Sequence, residues 1–211
     1  MIYAKYIKRF LDILISLIGL PVLFLILTVC APLIWLEDRG PVFYNADRLG
    51  RAGKTFKMYK LRSMRVNAPD IRNEDGSTYN AEDDPRVTRI GRFIRKTSLD
   101  ETPQLLNVLK GDMSLIGPRP DLPDGLDTLY KPEYMPRLDV RPGITGYSQA
   151  YFRNEIDLDE RFAQDLYYVA HISFWLDVKI LFKTAAVVLK REGVYRNEAG
   201  DKAKKGETAN V

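Results

Sequence analysis

The chain has 211 residues, 45% of them hydrophobic and 28% charged, which suits one compact domain plus an appendage and excludes a disordered polypeptide. Its formal net charge of +4 is only mildly basic, so where the cations lie matters more than their sum. One cysteine, Cys30, and one histidine, His171, exclude an intrachain disulfide framework, a CxxC metal site and most zinc-enzyme chemistry.

From Ile13 to Leu36 there is no charged residue, and a straight helix of that length would be about 36 Å long, enough to cross a bilayer core. The run is too long for the apolar part of a cleaved signal, so it is expected to stay attached. Pro21 and Pro32 predict a bent helix. Lys5, Lys8 and Arg9 precede it, and Arg48, Arg51, Lys54, Lys57, Lys60, Arg62 and Arg65 follow it, so both flanks favour the cytoplasmic side. A helix that dips in, breaks at Pro21 and returns satisfies both. On hydropathy alone, one kinked transmembrane helix stays open.

Beyond the apolar run, residues 41–46 and 55–61 are β-rich and are separated by Gly50-Arg51-Ala52-Gly53, which predicts a hairpin. Residues 66–86 carry six acidic side chains and little periodicity, the pattern of a long surface loop. From Arg86 to Lys96, Arg89, Arg92 and Arg95 recur at helical spacing with Ile90, Phe93 and Ile94 on another face, predicting a basic amphipathic helix suited to anionic lipid or to solvent. Helices are also expected over 105–109, 159–170 and 173–191. The last of these is apolar enough to lie in the core or at an interface. The polar stretch 192–211 reads as a disordered tail.

Gly53-Lys54-Thr55 is no P-loop, because Arg48 stands where the first glycine is required. His171 has no partner cluster in sequence and receives no role. Asp100 and Glu101 follow Ser98, and Ser98-x-x-Glu101 fits a capping box at the start of a helix. In cationic company the same pair could serve chemistry: Asp100 as an ionised nucleophile, Glu101 as an oxygen ligand for a hard divalent cation. Pro118-Arg119-Pro120 holds an arginine between two residues of locked φ, a fork suited to a phosphate. Arg141-Pro142-Gly143 fits a type II turn, and with Thr145-Gly146 its amides could form an anion-binding nest.

Taken in order, several blocks resemble the bacterial sugar transferase family, the monotopic phosphoglycosyl transferases. They are Lys8-Arg9-Phe10-Leu11-Asp12, Gly40-Pro41-Val42-Phe43, the run Phe56–Met64, Leu99-Asp100-Glu101-Thr102-Pro103-Gln104, the run Leu109–Pro120, and Arg141–Gly146. The resemblance covers residues 5 to about 190. It implies an α+β fold: a re-entrant, kinked membrane helix over 1–38, and a catalytic domain over 39–191 with a β-hairpin and several amphipathic or interfacial helices on the cytoplasmic face of the bacterial inner membrane.

The activity so implied moves a sugar-1-phosphate from a UDP-sugar to polyprenyl (undecaprenyl) phosphate through a covalent intermediate on Asp100, with release of UMP and with Glu101 holding Mg²⁺. Substrate contacts would come from Lys60, Arg62, Arg95, Arg119, Arg141, Thr145, Gln149 and Arg153. The implied partners are those two substrates and the lipid bilayer, with no nucleic acid and with homo-oligomer formation left open. After Gly146 the chain departs from the common Leu/Trp-Ala-Gln-Val-Asn-Gly-Arg pattern and reads Tyr147-Ser148-Gln149-Ala150-Tyr151-Phe152-Arg153, which keeps Arg153 and Asn154. Two rival readings are a membrane-tethered interaction protein without catalysis and a polyprenyl-linked phosphatase.

Overall fold

The computed structural model describes residues 2–71, 79, 81, 83–124, 126, 130–153 and 156–190. The expected tail over 192–211 and Asn154 lie outside the described residues. A π-helical turn, Tyr3–Ile7, runs into helix α1, Lys8–Asp38, which continues through Pro21 and Pro32. The break expected at Pro21 is therefore absent. A proline deletes one donor while the bonds of the flanking turns persist, which kinks a helix without ending it.

On α1 only Asp12, Ser16, Leu23, Cys30 and Ile34 are buried, a narrow stripe at four- and seven-residue steps along one face. Phe10, Ile18, Phe24 and Leu25 stand 64–73% exposed around it.

The hairpin forms as expected, with strand β1, Phe43–Leu49, antiparallel to β2, Thr55–Leu61, and Ala46 opposite Met58. Its turn uses left-handed backbone at Ala52 (φ 58°) and Gly53 (φ 71°). Helix α2, Arg89–Lys96, starts at Thr88, whose hydroxyl accepts from the Gly91 amide at 3.0 Å. Phe93 is 54% exposed among the arginines, not inward with Ile94. Gly91 is required because a Cβ there would lie 1.9 Å from the Ser63 carbonyl oxygen.

Helix α3, Gln104–Lys110, ends at Gly111 (φ 102°). Strand β3, Ser114–Ile116, then pairs in parallel with β4, Gly143–Thr145. This pairing replaces the expected type II turn: Gly143 lacks the positive φ that turn demands, and its amide donates to the Pro118 carbonyl at 2.9 Å, not to a nest. The seam is tight, since a Cβ on Gly143 would lie 2.1 Å from the Gly117 nitrogen. Among the described residues there follow a 3₁₀-helical stretch, Pro132–Asp139, between β3 and β4, and after β4 the α-helices α4, Tyr147–Tyr151; α5, Leu158–Ala170, capped by Asp157; and α6, Phe174–Lys190.

Both ends of α1 are fastened to this one body, although about 38 Å of helix separates Asp12 from Glu37. At the N-terminal end Lys8 Nζ pairs with Asp177 of α6 at 2.8 Å, Arg9 donates to the Val108 carbonyl at 2.8 Å, and Asp12 accepts from the Leu115 amide at 3.0 Å. At the C-terminal end Arg62 Nη2 donates to Asp38 at 2.6 Å, and Glu37 accepts from the Arg89 and Ile90 amides at 2.6 and 3.1 Å. That carboxylate neutralises the positive end of α2. Cys30 and Ile34 pack with Leu61 and Ile94, while a larger core gathers Met58, Val108, Met113, Ile116, Tyr168 and Ile180. On α6, Ile180 turns inward and Trp175, Phe182 and Leu189 outward, 71–82% exposed.

Of the stretch read as a surface loop, residues 72–78, 80 and 82 lie outside the described residues; among the described ones, Arg86 Nη2 and Nε donate to Asp84 at 2.7 and 2.9 Å and Arg86 Nη1 donates to the Pro69 carbonyl at 2.9 Å. The hydrogen bonds from Arg86 outweigh burial and hold the Asp84 carboxyl below its ordinary 3.8. A carboxyl depressed in the folded state contributes stability that is complete well above pH 3.8 and is lost as pH falls through the folded value. Melting curves of wild type and Asp84→Asn should differ near neutral pH and converge in acid below pH 3.8. A gap that stays constant across that range would contradict the role given to this clasp.

Candidate active site

Asp100 and Glu101 lie on a single 3₁₀ turn, Leu99–Glu101, one turn ahead of α3. The capping box does not form. Ser98 adopts left-handed backbone (φ 56°) and its side chain caps nothing, while the Glu101 carboxylate turns to Lys60 Nζ at 2.7 Å. Asp100 is only 8% exposed. Two adjacent carboxylates in so little water are costly unless cations face them.

The fold supplies those cations from four separate segments. Lys60 comes from β2, Arg95 from the last turn of α2, Arg119 from the Pro118–Pro120 loop, and Arg153 from the residues after α4, in left-handed backbone (φ 47°). Burial pushes the Asp100 carboxyl up to about 6, with Lys60 and Arg95 opposing the rise and Glu101 adding to it. Burial acts on Glu101 in the same direction, but Lys60, Arg119 and Arg153 together outweigh it and lower that carboxyl below its usual value. The two acids are thereby separated: Glu101 is firmly ionised, and Asp100 is the more basic carboxylate, still ionised near neutrality. Arg95 is itself steadied by Nε donating to the Ser63 hydroxyl at 2.8 Å.

Other residues expected at the site make contacts elsewhere. Arg62 is buried against the end of α1, donating to Asp38 and to the Pro41 and Met64 carbonyls. Arg141 Nε donates to the Gly111 carbonyl at 2.8 Å, with Arg9 and Arg51 as its neighbouring cations. The Thr145 hydroxyl pairs with that of Thr184 at 2.8 Å, and Gln149 Nε2 donates to the Ile144 carbonyl at 3.4 Å. His171 is exposed, stacked on Tyr167 with ring centroids 4.3 Å apart.

Asn107 has a positioning part that spacing alone does not reveal. Fully buried, it accepts from the Tyr59 amide at 2.9 Å and donates to the Lys57 carbonyl at 2.7 Å. It thus pairs with the free edge of β2 and docks α3 beside Lys60.

The model of the family described as bacterial sugar transferase matches residues 3–191. The chain belongs to the bacterial sugar transferase family. It is 43% identical over 209 residues to an undecaprenyl-phosphate galactose phosphotransferase of Salmonella typhimurium, covering 91% of this chain and 42% of that protein. It is 45% identical over 194 residues to the galactosyl transferase CpsE of Streptococcus agalactiae, covering 88% and 43%. A UDP-N-acetylgalactosamine-undecaprenyl-phosphate N-acetylgalactosaminephosphotransferase of Aeromonas hydrophila is 43% identical over 193 residues, covering 89% and 44%. The chain therefore spans less than half the length of these three relatives.

As for a metal, no group of three or more histidine, cysteine or acidic side chains could hold one among the described residues. The donor set fits a magnesium ion that is shared with a phosphate ligand, because magnesium commonly takes only one or two carboxylates from protein and completes its shell with phosphate and water. Glu101 has one oxygen on Lys60, so its second is the one that would face such an ion. Asn107→Ala leaves the Tyr59 amide and Lys57 carbonyl unpaired, and should cost about 1–3 kcal/mol of stability in a denaturant titration. An unchanged midpoint would show that the side chain does not hold α3 to β2.

Proposed function

We propose that this family member transfers a sugar-1-phosphate from a UDP-sugar to polyprenyl phosphate in two steps through Asp100. The single observation that carries the reading is the acidic pair, Asp100 buried and Glu101 partly so, with Lys60, Arg95, Arg119 and Arg153 converging on it. The relatives' names support it, two of them undecaprenyl-phosphate sugar phosphotransferases and one with a UDP-sugar in its name.

In the first step a carboxylate oxygen of Asp100 attacks the β-phosphorus of the donor. The bond from that phosphorus to the bridging oxygen breaks, and UMP leaves with the electron pair. In the second, an oxygen of polyprenyl phosphate attacks the same phosphorus and the Asp100 carboxylate departs. Lys60 and the arginines would balance the diphosphate charge and keep it from repelling the nucleophile, the usual need in phosphoryl transfer. Mg²⁺ held by Glu101 and the donor phosphates would supply further charge neutralisation when bound. Asp100 suits the nucleophile's part because its raised basicity strengthens attack while leaving it ionised at neutral pH.

A bilayer is the second element of the proposal. The wide apolar face of α1 and the outward Trp175 and Phe182 of α6 would be costly in water. Because both ends of α1 are bonded to one body, the helix would enter the cytoplasmic leaflet kinked and leave on the side it entered, bringing the acidic pair to the level where a polyprenyl phosphate head lies. The contacts at Lys8, Asp12, Glu37 and Asp38 disfavour a simple span, which would put the two ends in different aqueous phases.

With membranes, a UDP-sugar panel and Mg²⁺, Asp100→Asn should cut UMP release by roughly three orders of magnitude or more while the protein still folds. Glu101→Gln should raise the Mg²⁺ concentration needed for half-maximal rate by roughly tenfold or more. Wild-type turnover in Asp100→Asn would exclude a carboxylate nucleophile, and release of inorganic phosphate in place of UMP would favour the phosphatase. In a Cys30→Ala background, single cysteines placed at Lys5 and Arg39 should both be blocked by impermeant thiol reagents only after the inner face is opened. Labelling from opposite sides would establish a span.

A further inference from the structure

Arg119 and Arg153 reach the acidic pair from segments that are neither strand nor helix, and a short flexible connection would not by itself hold a guanidinium in place. Both segments lead to one residue. Arg137, 2% exposed on the helical stretch Pro132–Asp139, donates through Nη1 to Asp121 at 2.7 Å and through Nη2 to Asp165 at 2.7 Å. Its Nη2 also reaches the Arg119 carbonyl at 3.3 Å, and its guanidinium lies over Phe162 at 3.9 Å. Asp121, two residues beyond Arg119, accepts further from Tyr130 and from Arg161, each at 2.8 Å.

On the other side, Asp165 accepts from the Ser148 hydroxyl at 2.7 Å. The Ser148 carbonyl in turn accepts from the Phe152 and Arg153 amides at 2.9 and 3.1 Å, which closes α4 and sets the left-handed backbone from which Arg153 projects. A continuous path of polar contacts, buried at Arg137, Asp165 and Ser148, thus runs from the Arg119 carbonyl to the Arg153 amide.

We infer that Arg137 is a positioning residue, which through Asp121 and Asp165 fixes Arg119 and Arg153 relative to each other as a two-armed clamp for an anionic diphosphate beside Glu101. The inference rests on the proposed function for the identity of that anion. Physical chemistry favours this part over a purely stabilising one. Two arginines and two aspartates buried together recover little net free energy once their lost hydration is counted, and such networks can often be replaced by apolar groups without loss of stability. What they do supply is direction, because each charge-assisted bond is short and angularly demanding. Arg137 commits its guanidinium to Asp121, Asp165, Tyr130 and the Arg119 carbonyl, so its effect on the acidic pair would be transmitted and not direct.

The experiment is a pair of double-mutant cycles on the full chain in membranes, with UMP release as the assay. Ser148→Ala and Tyr130→Phe each remove one hydroxyl from the network without creating a buried charge. Each should lower kcat/KM for the UDP-sugar by about tenfold, mainly through KM, in a protein that still folds and whose melting temperature falls by only a few degrees. In an Arg153→Ala background Ser148→Ala should cost no more than about a further twofold, and likewise Tyr130→Phe in an Arg119→Ala background, because the arm each one steers is already gone. Losses that multiply in full would make the network merely structural and overturn the inference.

Hydrogen exchange gives a second readout that needs no turnover. Arg137→Gln should speed exchange in both segments 118–124 and 146–153, whereas Ser148→Ala should speed it in the second alone. Wild-type exchange in both segments of a folded Arg137→Gln protein, or in 146–153 of Ser148→Ala if Arg137→Gln does not fold, would also overturn the inference. If the wild type shows no turnover the proposed function fails, and exchange still decides whether Arg137 fixes the two segments.

Discussion

A carboxylate pair largely withdrawn from water must be answered by positive charge, and that requirement organises the molecule around Asp100 and Glu101. Lys60 lies at 2.7 Å from Glu101, and Arg95, Arg119 and Arg153 approach from three other segments. Each cation depends on a different piece of packing. Lys60 needs β2, which Asn107 completes; Arg95 needs the close approach of α2 to Ser63 that Gly91 permits; Arg119 and Arg153 lead back to Arg137. A domain whose described strands form only two-stranded sheets can hold such a site because its irregular segments are joined by polar bonds where others would rely on a continuous sheet.

The long helix obeys the same logic on a larger scale. Its apolar face is far wider than the stripe that the body covers, yet the polar residues at its two ends, Lys8, Arg9 and Asp12 on one side and Glu37 and Asp38 on the other, all find partners in the same domain. The proposed partial insertion follows from those partners, and hydropathy alone does not distinguish it from a span. A carrier lipid with a charged head and an apolar tail would meet the acidic pair and the helix together.

Much of this was legible in the sequence where a physical period exists. The hairpin, the basic helix and the two C-terminal helices follow from β-rich runs flanking a glycine turn and from helical spacing, and they stand within a few residues of the expected bounds. The acidic pair was visible as well, but its local setting was not. Ser98-x-x-Glu101 reads as a capping box, and only the tertiary position of Lys60 draws the glutamate away. Lys60 and Arg62 look equivalent in sequence, yet β2 ends between them, at Leu61, and Arg62 turns into the end of α1. The parallel pairing of β3 with β4 joins three-residue strands far apart in the chain, too short to carry any period, so Arg141-Pro142-Gly143 passes for a turn. Arg137 and Asp165 offered no local signal, being single charges in amphipathic stretches whose meaning arises only from burial.

The central claim, that Asp100 carries the phosphosugar between two half-reactions, is tested most directly by mass spectrometry of the enzyme after incubation with UDP-sugar and Mg²⁺ but no polyprenyl phosphate. The expected result is a sugar-phosphate adduct on the peptide containing Asp100, formed with one equivalent of UMP and discharged when polyprenyl phosphate is added. Contradiction would come from the absence of any adduct together with UMP release that begins only once the lipid acceptor is present.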